Sequence, residues 1–193
     1  MQPLERLREK HCSFAWKIVP YCCVIAATAL AADSSVALAG SSIVATFKQE
    51  HAPVEASFKN FSGTIIYDAT KPAATIATLT VDMSSLDIGD ESSNAEVRKA
   101  AWFDSAQFPQ ATFRSNTITP GDAGHFSATG TLAIKGRTQT ITVIVAVQRA
   151  GRGSAFDGSF ELSRKAFGIG DPTWEDVLDD TVRVRFHLLN AGI

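Results

Sequence analysis

Catalysis needs a nucleophile, a base or a metal ligand set, and this chain offers few candidates for any of them. Beyond its N-terminal region the histidines are His51, His125 and His187. His51 lies by a Pro-containing bend, His125 in a Gly-flanked turn and His187 on the outward phase of the last predicted strand. None falls at metal-ligand spacing with another. No Gly-x-Ser-x-Gly elbow is present, and Gly168-Ile169-Gly170 is too isolated to mark a nucleotide loop. Asp171, Glu175, Asp176, Asp179 and Asp180 cluster near the C-terminus. They lack the ordered spacing of a calcium loop and read as a solvated acidic segment. The expectation is no catalytic residue, no metal site, no resident cofactor and no enzyme.

Apolar surface is what the chain concentrates. Trp102, Phe103, Phe108 and Phe113 fall within twelve residues. They sit where the pattern stops looking like β-structure. Asn94 to Trp102 is rich in helix formers and can start from Ser93 or Asn94 as an N-cap. Pro109 forbids continuation and pushes Phe108 toward an extended conformation. Ala111, Phe113 and Ser115 then alternate with Thr112 and Arg114 at strand spacing. A short helix carrying Trp102 and Phe103 is therefore predicted to drop into a strand. Aromatics at this density need a large apolar surface, such as the open mouth of a closed sheet.

The elements that would supply that surface are strands. From Ser41 onward, Ile43, Ala45 and Phe47 alternate with Val44, Thr46 and Lys48, and Val54, Ala56 and Phe58 with Glu55, Ser57 and Lys59. Phe61, Gly63, Ile65 and Tyr67 follow after a very short link at Asn60. Ala77, Leu79, Val81 and Met83 share a face, with Leu86 to Ser93 read as a polar loop. Phe126 to Ile134 is a strand, Lys135-Gly136-Arg137 a hairpin turn, and Thr138 to Gln148 a β-branched strand with Ile141, Val143, Val145 and Val147 on one face. Phe156, Gly158, Phe160 and Leu162 alternate, and Val182, Val184, Phe186 and Leu188 close the chain. Eight to ten strands with short links predict an antiparallel sandwich or barrel. Large inward residues stand beside Ala45, Ala56, Gly63, Ala77 and Gly158. That mixture is compatible with a filled core and with an open bore.

The N-terminus reads as a leader. Arg6, Arg8, Lys10 and Lys17 form a basic region, and Ile18 to Ala32 carries no charge. Ala37-Leu38-Ala39 offers small residues for cleavage, with Ala29-Leu30-Ala31 as a second site. The expected division is a signal peptide over 1–39 and one domain over 40–193, placing the mature protein in the periplasm. An uncleaved anchor is the alternative, but the uncharged run is short for a span and Pro20 interrupts it. Cys12, Cys22 and Cys23 all precede Ala39, so the exported domain would lack disulfides, thiolate metal sites and Cys nucleophiles. The full chain of 193 residues has a formal charge of −2, and removing the leader leaves −3. Neither value gives an electrostatic case for nucleic acid or an anionic membrane surface.

Five segments together resemble one family. They are Phe58 to Asp68 (Phe-x-x-Phe-x-Gly-x-Ile-x-Tyr-Asp), Trp102-Phe103-Asp104, Phe108-Pro109-x-Ala-x-Phe-x-Ser115, Gly130-x-Leu-x-Ile-Lys-Gly136 and Arg164-x-x-Phe-Gly168. In this order they are similar to the YceI-like, polyisoprenoid-binding proteins exported by bacteria, over nearly everything after Ser41. Phe167 to Asp176 resembles a subgroup with a Gly-rich, Trp-containing loop there, although the chain is shorter than the usual pattern between Asp176 and Val182. The resemblance implies an all-β, antiparallel, lipocalin-like β-barrel of about eight strands with one or two short helices. It implies an apolar bore holding an isoprenoid lipid, polyprenyl or quinone-like, and no catalysis.

The candidate cavity and mouth residues are Phe47, Phe58, Phe61, Ile65, Leu79, Arg98, Trp102, Phe103, Phe108, Phe113, Leu132, Ile134, Val143, Val145, Phe167, Trp174 and Phe186. In this reading Trp102 and Phe103 sit over one opening, with Phe108, Phe113 and Phe167 below, and Arg98 or Arg114 meets a polar head. The alternative is a filled barrel acting as a structural or stress-related interaction protein. A homodimer is open in either case, and no membrane span is expected after leader removal.

Overall fold

The computed structural model describes residues 34–122 and 124–190. The leader region up to residue 33 lies outside the described residues. Ten strands form one antiparallel sheet: β1 (Val36–Gln49), β2 (Ala52–Phe58), β3 (Phe61–Ile66), β4 (Ile76–Asp82), β5 (Leu86–Asp87), β6 (Gln110–Pro120), β7 (His125–Ile134), β8 (Arg137–Ala150), β9 (Gly153–Ser163) and β10 (Thr181–Asn190). Their order is β3-β4-β6-β7-β8-β9-β10-β1-β2-β5. The fold is all-β and barrel-like, as the alternation predicts. Along β7 the inward-phase residues Phe126, Ala128, Gly130, Leu132 and Ile134 are all buried, and the residues between them are half-buried.

The curled sheet returns on itself at β1 and β3. Ser35 bridges Thr64, the Ile65 N–H donates to the Ser34 carbonyl (2.7 Å), and Asn190 Nδ2 donates to the Ile65 carbonyl (2.8 Å). This seam uses residues that the sequence reading assigned to the leader. Val36 and Ala37 also pair with Asn190 and Leu189 before a bulge carries the register to Ser42. Gly40 sits in that bulge at φ 83°, a conformation glycine adopts without steric cost. On the other side β2 runs through Lys59-Asn60 into β3, and short β5 pairs with the end of β2 through Ser57–Asp87 and Phe58–Leu86.

The helix differs from expectation. The segment α1 spans Glu91–Val97 and is capped by Asp90, whose carboxylate accepts from the Ser93 N–H (2.8 Å) and from both the Ser92 and Ser93 hydroxyls. These bonds, led by the one from the Ser92 hydroxyl, lower the Asp90 carboxyl to about 2. Asp is as strong a cap as Ser or Asn, and it comes earlier in the chain. Asn94 is inside the helix instead, buried, accepting from the Ile88 N–H (2.8 Å) and donating to Asp87 (3.2 Å). Trp102 and Phe103 therefore lie on the turns after α1, tied back by Trp102 N–H to Lys99 O and Phe103 N–H to Val97 O.

The β1–β2 hairpin turns through Glu50 and His51 at φ 50° and 69°. Two left-handed residues suit the twist of a two-residue hairpin, a position that favours Asn-Gly. Replacing His51 by Gly should therefore raise stability by about 0.5–1 kcal/mol. Thermal or urea unfolding of H51G against the parent checks it; a lower midpoint would show that the histidine side chain contributes more than the strain costs.

Candidate functional site

The inward face of the curled sheet encloses a cavity of about 220 Å³. Its lining is almost wholly aliphatic and aromatic, with Thr78, Trp102, Thr112 and Arg164 the side chains that carry nitrogen or oxygen atoms. Along β7 the lining runs from Phe126 to Ile134, roughly 27 Å at about 3.4 Å per residue. A volume that small spread along that length is a narrow channel.

Three inward glycines keep it from filling. A Cβ on Gly63 would stand 2.9 Å from Leu79 Cδ1, one on Gly130 would stand 2.6 Å from Phe113 Cε2, and one on Gly158 would collide with the ring of Phe186. In each case a large residue on the neighbouring strand lies flat over a glycine rather than pointing down the bore. Gly63 and Leu79, and Gly158 and Phe186, are direct cross-strand partners.

One end is closed by Tyr67, stacked on Phe126 with ring centroids 6.4 Å apart and edge-on to Phe156 at 5.5 Å. The other end is built from the turns after α1 and the segment between β9 and β10. Trp102, Phe103, Ile169 and Leu178 line it together with Arg164. Arg164 is buried, and its guanidinium is held by backbone carbonyls: Nε donates to Asp179 O (3.1 Å), Nη1 to Ile169 O (3.1 Å) and Nη2 to Leu178 O (2.9 Å). Lys135, in the β7–β8 turn, joins the two loops by donating to Ala100 O (2.9 Å) and Gly168 O (2.7 Å). Burial pushes its ammonium below the ordinary lysine value, with Asp104 opposing. The Gly170 N–H adds a bond to Ala101 O (3.1 Å).

Of the candidates named from sequence, Phe47, Phe58, Ile65, Leu79, Trp102, Phe103, Phe113, Leu132, Ile134, Val143, Val145 and Phe186 line the channel. Five do not. Phe61 is buried within the core behind the lining. Phe108 covers Gly136, where a Cβ would come 2.9 Å from its ring. Phe167 is fully buried in the turn following Arg164. Trp174 packs edge-on to Trp102 (6.2 Å) and stays partly exposed. Arg98 is spent outside, donating to Ser84 O (3.1 Å) and pairing with Glu91 (3.4 Å). Arg114 is exposed on β6. The arginine that does reach the bore, Arg164, was passed over. Its signal was the Arg164-x-x-Phe-Gly168 motif: a charge inside a Gly-rich irregular segment, where backbone carbonyls are free to receive it.

The remaining polar clusters are engaged locally. Asp171 caps the turn at Pro172–Trp174 through Thr173, and these bonds hold its carboxyl below the usual value. Glu175 pairs with Lys165 (3.2 Å). Burial alone would raise Asp180, but the Lys165 N–H, the Ser163 hydroxyl and the charges of Arg164 and Lys165 lower it overall. His187 meets Asp157 (2.6 Å) on the outer face. Among the described residues no group of three or more metal-ligating side chains is close enough to hold an ion.

A ten-stranded, curled antiparallel sheet around an apolar channel defines a barrel-like β architecture. The profile of the YceI-like domain matches residues 31–189, and the chain belongs to that family. It is 28% identical to Protein YceI of Escherichia coli O157:H7 over 152 residues, covering 77% of this chain and 69% of that one. The crystal structure of Burkholderia cenocepacia BcnA superposes with a TM-score of 0.78 at 39% identity, covering 81% of this chain and 99% of that one. A polyisoprenoid binding domain from Saccharophagus degradans, implicated in plant cell wall breakdown, shares the fold with a TM-score of 0.68 at 18% identity, covering 84% of this chain and all of that one, 100%.

Substituting Gly158 by Ala should push the Phe186 ring off the wall and into the channel. The expected result is a folded protein with at least several-fold weaker uptake of a long-chain apolar probe, while a variant on the outer face such as Ile144→Thr binds normally. Equal uptake by G158A and the parent would show that the ring has another place to go.

Proposed function

We propose that this protein is an exported lipid-binding protein that holds a long-chain isoprenoid, polyprenyl or quinone-like, for transport, storage or sequestration in the periplasm. The observation that carries the reading is the apolar channel that runs from Phe126 and Phe156, which pack against Tyr67, to Trp102. Burial of hydrocarbon gains about 0.8 kcal/mol per methylene, and a branched prenyl chain needs no directed bonds along its length. At about 220 Å³ the channel lies below the roughly 300–1,000 Å³ of ordinary ligand pockets. A slender chain suits it better than a fused ring system. Seating a long one asks lining side chains to swing aside. The shared fold of a domain described as polyisoprenoid binding supports the same ligand class. A channel also favours this reading over a filled barrel that works only through its outer surface. The reading is of a binder rather than a catalyst: His187 is paired with Asp157 outside the channel, and the lining offers no nucleophile–base pair.

Protein purified from bacterial periplasm without detergent should carry prenyl lipid. Native mass spectrometry with solvent extraction would read it as a mass excess lost on delipidation. Preparations that never carry lipid and take none up from prenyl-lipid micelles would end the lipid-binding reading.

Export through the leader is part of the same proposal, and the seam supports the earlier of its two cleavage motifs. Cutting after Ala39 would remove Ser34 and Ser35, which join β1 to β3, and Val36 and Ala37, which pair with β10. Cutting after Ala31 spares them. The mature protein is expected to begin within 32–34; intact mass after secretion measures it, and a start at Gly40 would overturn this choice.

A further inference from the structure

We infer that the channel reads one end of its ligand: an oxygen acceptor at the chain terminus is received by Trp102 Nε1 and the free N–H groups of Arg164. This rests on the lipid-binding reading above and adds an orientation to it.

The indole Nε1 of Trp102 is buried and has no hydrogen-bond partner among the described residues. A buried donor left unpaired costs about 1–3 kcal/mol, and Trp102 lines the channel. Beside it is Arg164. A Cβ on Gly170 would touch the Arg164 guanidinium and lie 3.8 Å from Trp102 Cζ3, on the indole edge across the ring from Nε1. The two side chains therefore flank one glycine. Gly170 stands at φ 110°, and any larger residue there would press on the guanidinium.

The guanidinium has five N–H groups. Three carbonyls take three of them, leaving two without an acceptor among the described residues. No described carboxylate is in ion-pair contact with this buried cation, although buried charges are ordinarily paired. Two independent deficits, an unpaired indole donor and an under-satisfied guanidinium, thus meet at one end of an otherwise apolar tube. Both call for an acceptor. The opposite end offers the aromatic faces of Phe126 and Phe156 under Tyr67. An amphiphile with an oxygen at its terminus would seat that oxygen at Trp102 and Arg164 and run its tail toward Tyr67.

The test compares a polyprenyl benzoquinone with the polyprenyl hydrocarbon of equal chain length, each titrated into delipidated protein. The parent should bind the quinone about three- to tenfold more tightly, the range expected of a hydrogen bond to a buried donor. Trp102→Phe keeps a ring in place but removes the N–H; it should shrink that preference, read as the ratio of quinone to hydrocarbon affinity within the one variant. In the parent, the indole ¹⁵N–¹H resonance that is missing from W102F should move on adding quinone and stay still on adding hydrocarbon. Equal binding of both chains by the parent, or an unmoved indole signal, overturns the head-group assignment while lipid binding stands. If neither chain binds, the lipid-binding reading itself has failed and this inference falls with it.

Discussion

A barrel of this size tends to fill with its own side chains, and the structure depends on preventing that. The means is steric economy along three strand pairs. Leu79, Phe113 and Phe186 are large enough to block the bore, yet each lies against a glycine on the next strand. The glycines weaken their strands by exposing backbone and adding unfolded-state entropy. The large neighbours recover part of that loss by covering the bare backbone. The outcome is a wall that is continuous and apolar but thin on its inner side. An alanine at any of these positions would be a small change in hydrophobicity and a large change in shape.

The wall also needs an end, and the two ends are made differently. At Tyr67 the closure is aromatic on aromatic, which is area burial with favoured ring geometry. At Trp102 the closure is loops, and loops bring unpaired backbone carbonyls. Lys135 and Arg164 answer that problem from inside: each directs a cationic side chain at carbonyls from more than one segment. Charge-assisted bonds to several acceptors hold irregular chain in one arrangement. Their cost is desolvation, visible in the lowered Lys135. Of the two, Arg164 also lines the channel and so introduces polarity into the bore.

Much of this was legible in the sequence. Alternation named the inward face of nearly every strand, because a strand with one buried face must repeat every second residue. That is why most of the lining was foreseeable. What alternation cannot reveal is whether an inward aromatic points down the bore or lies on a neighbour, since this depends on strand register. Phe61 and Phe113 look alike in sequence; one sits behind the lining and the other forms it. The turns were less readable still. Phe108, Phe167 and Trp174 belong to segments with no period, so their side chains could not be assigned a direction. Composition favoured Asn94 to Trp102 as helix, but Asp90 started the helix earlier and left Trp102 beyond its end. The strand at Val36 was hidden by small residues that serve equally well as a cleavage motif and as the bulged edge of a sheet.

Recognition by a tube of this kind is governed by how far it extends. Each methylene drawn from water into the channel contributes about 0.8 kcal/mol, so affinity should climb with chain length while the chain still fits between Trp102 and Tyr67. Past that length further units remain in solvent and add nothing. A wall without polar atoms cannot distinguish two hydrocarbons of equal length and girth, because transfer energy depends on area and not on pattern. Discrimination must come from the ends or from width. The channel is narrow, which penalises rings and bulky branches along its whole run. Its charged lining residue lies at the loop end, where Arg164 is caged by carbonyls that also fix the loop. Binding and architecture thus share one residue, and the feature that could tell one amphiphile from another cannot be altered without loosening the end of the barrel.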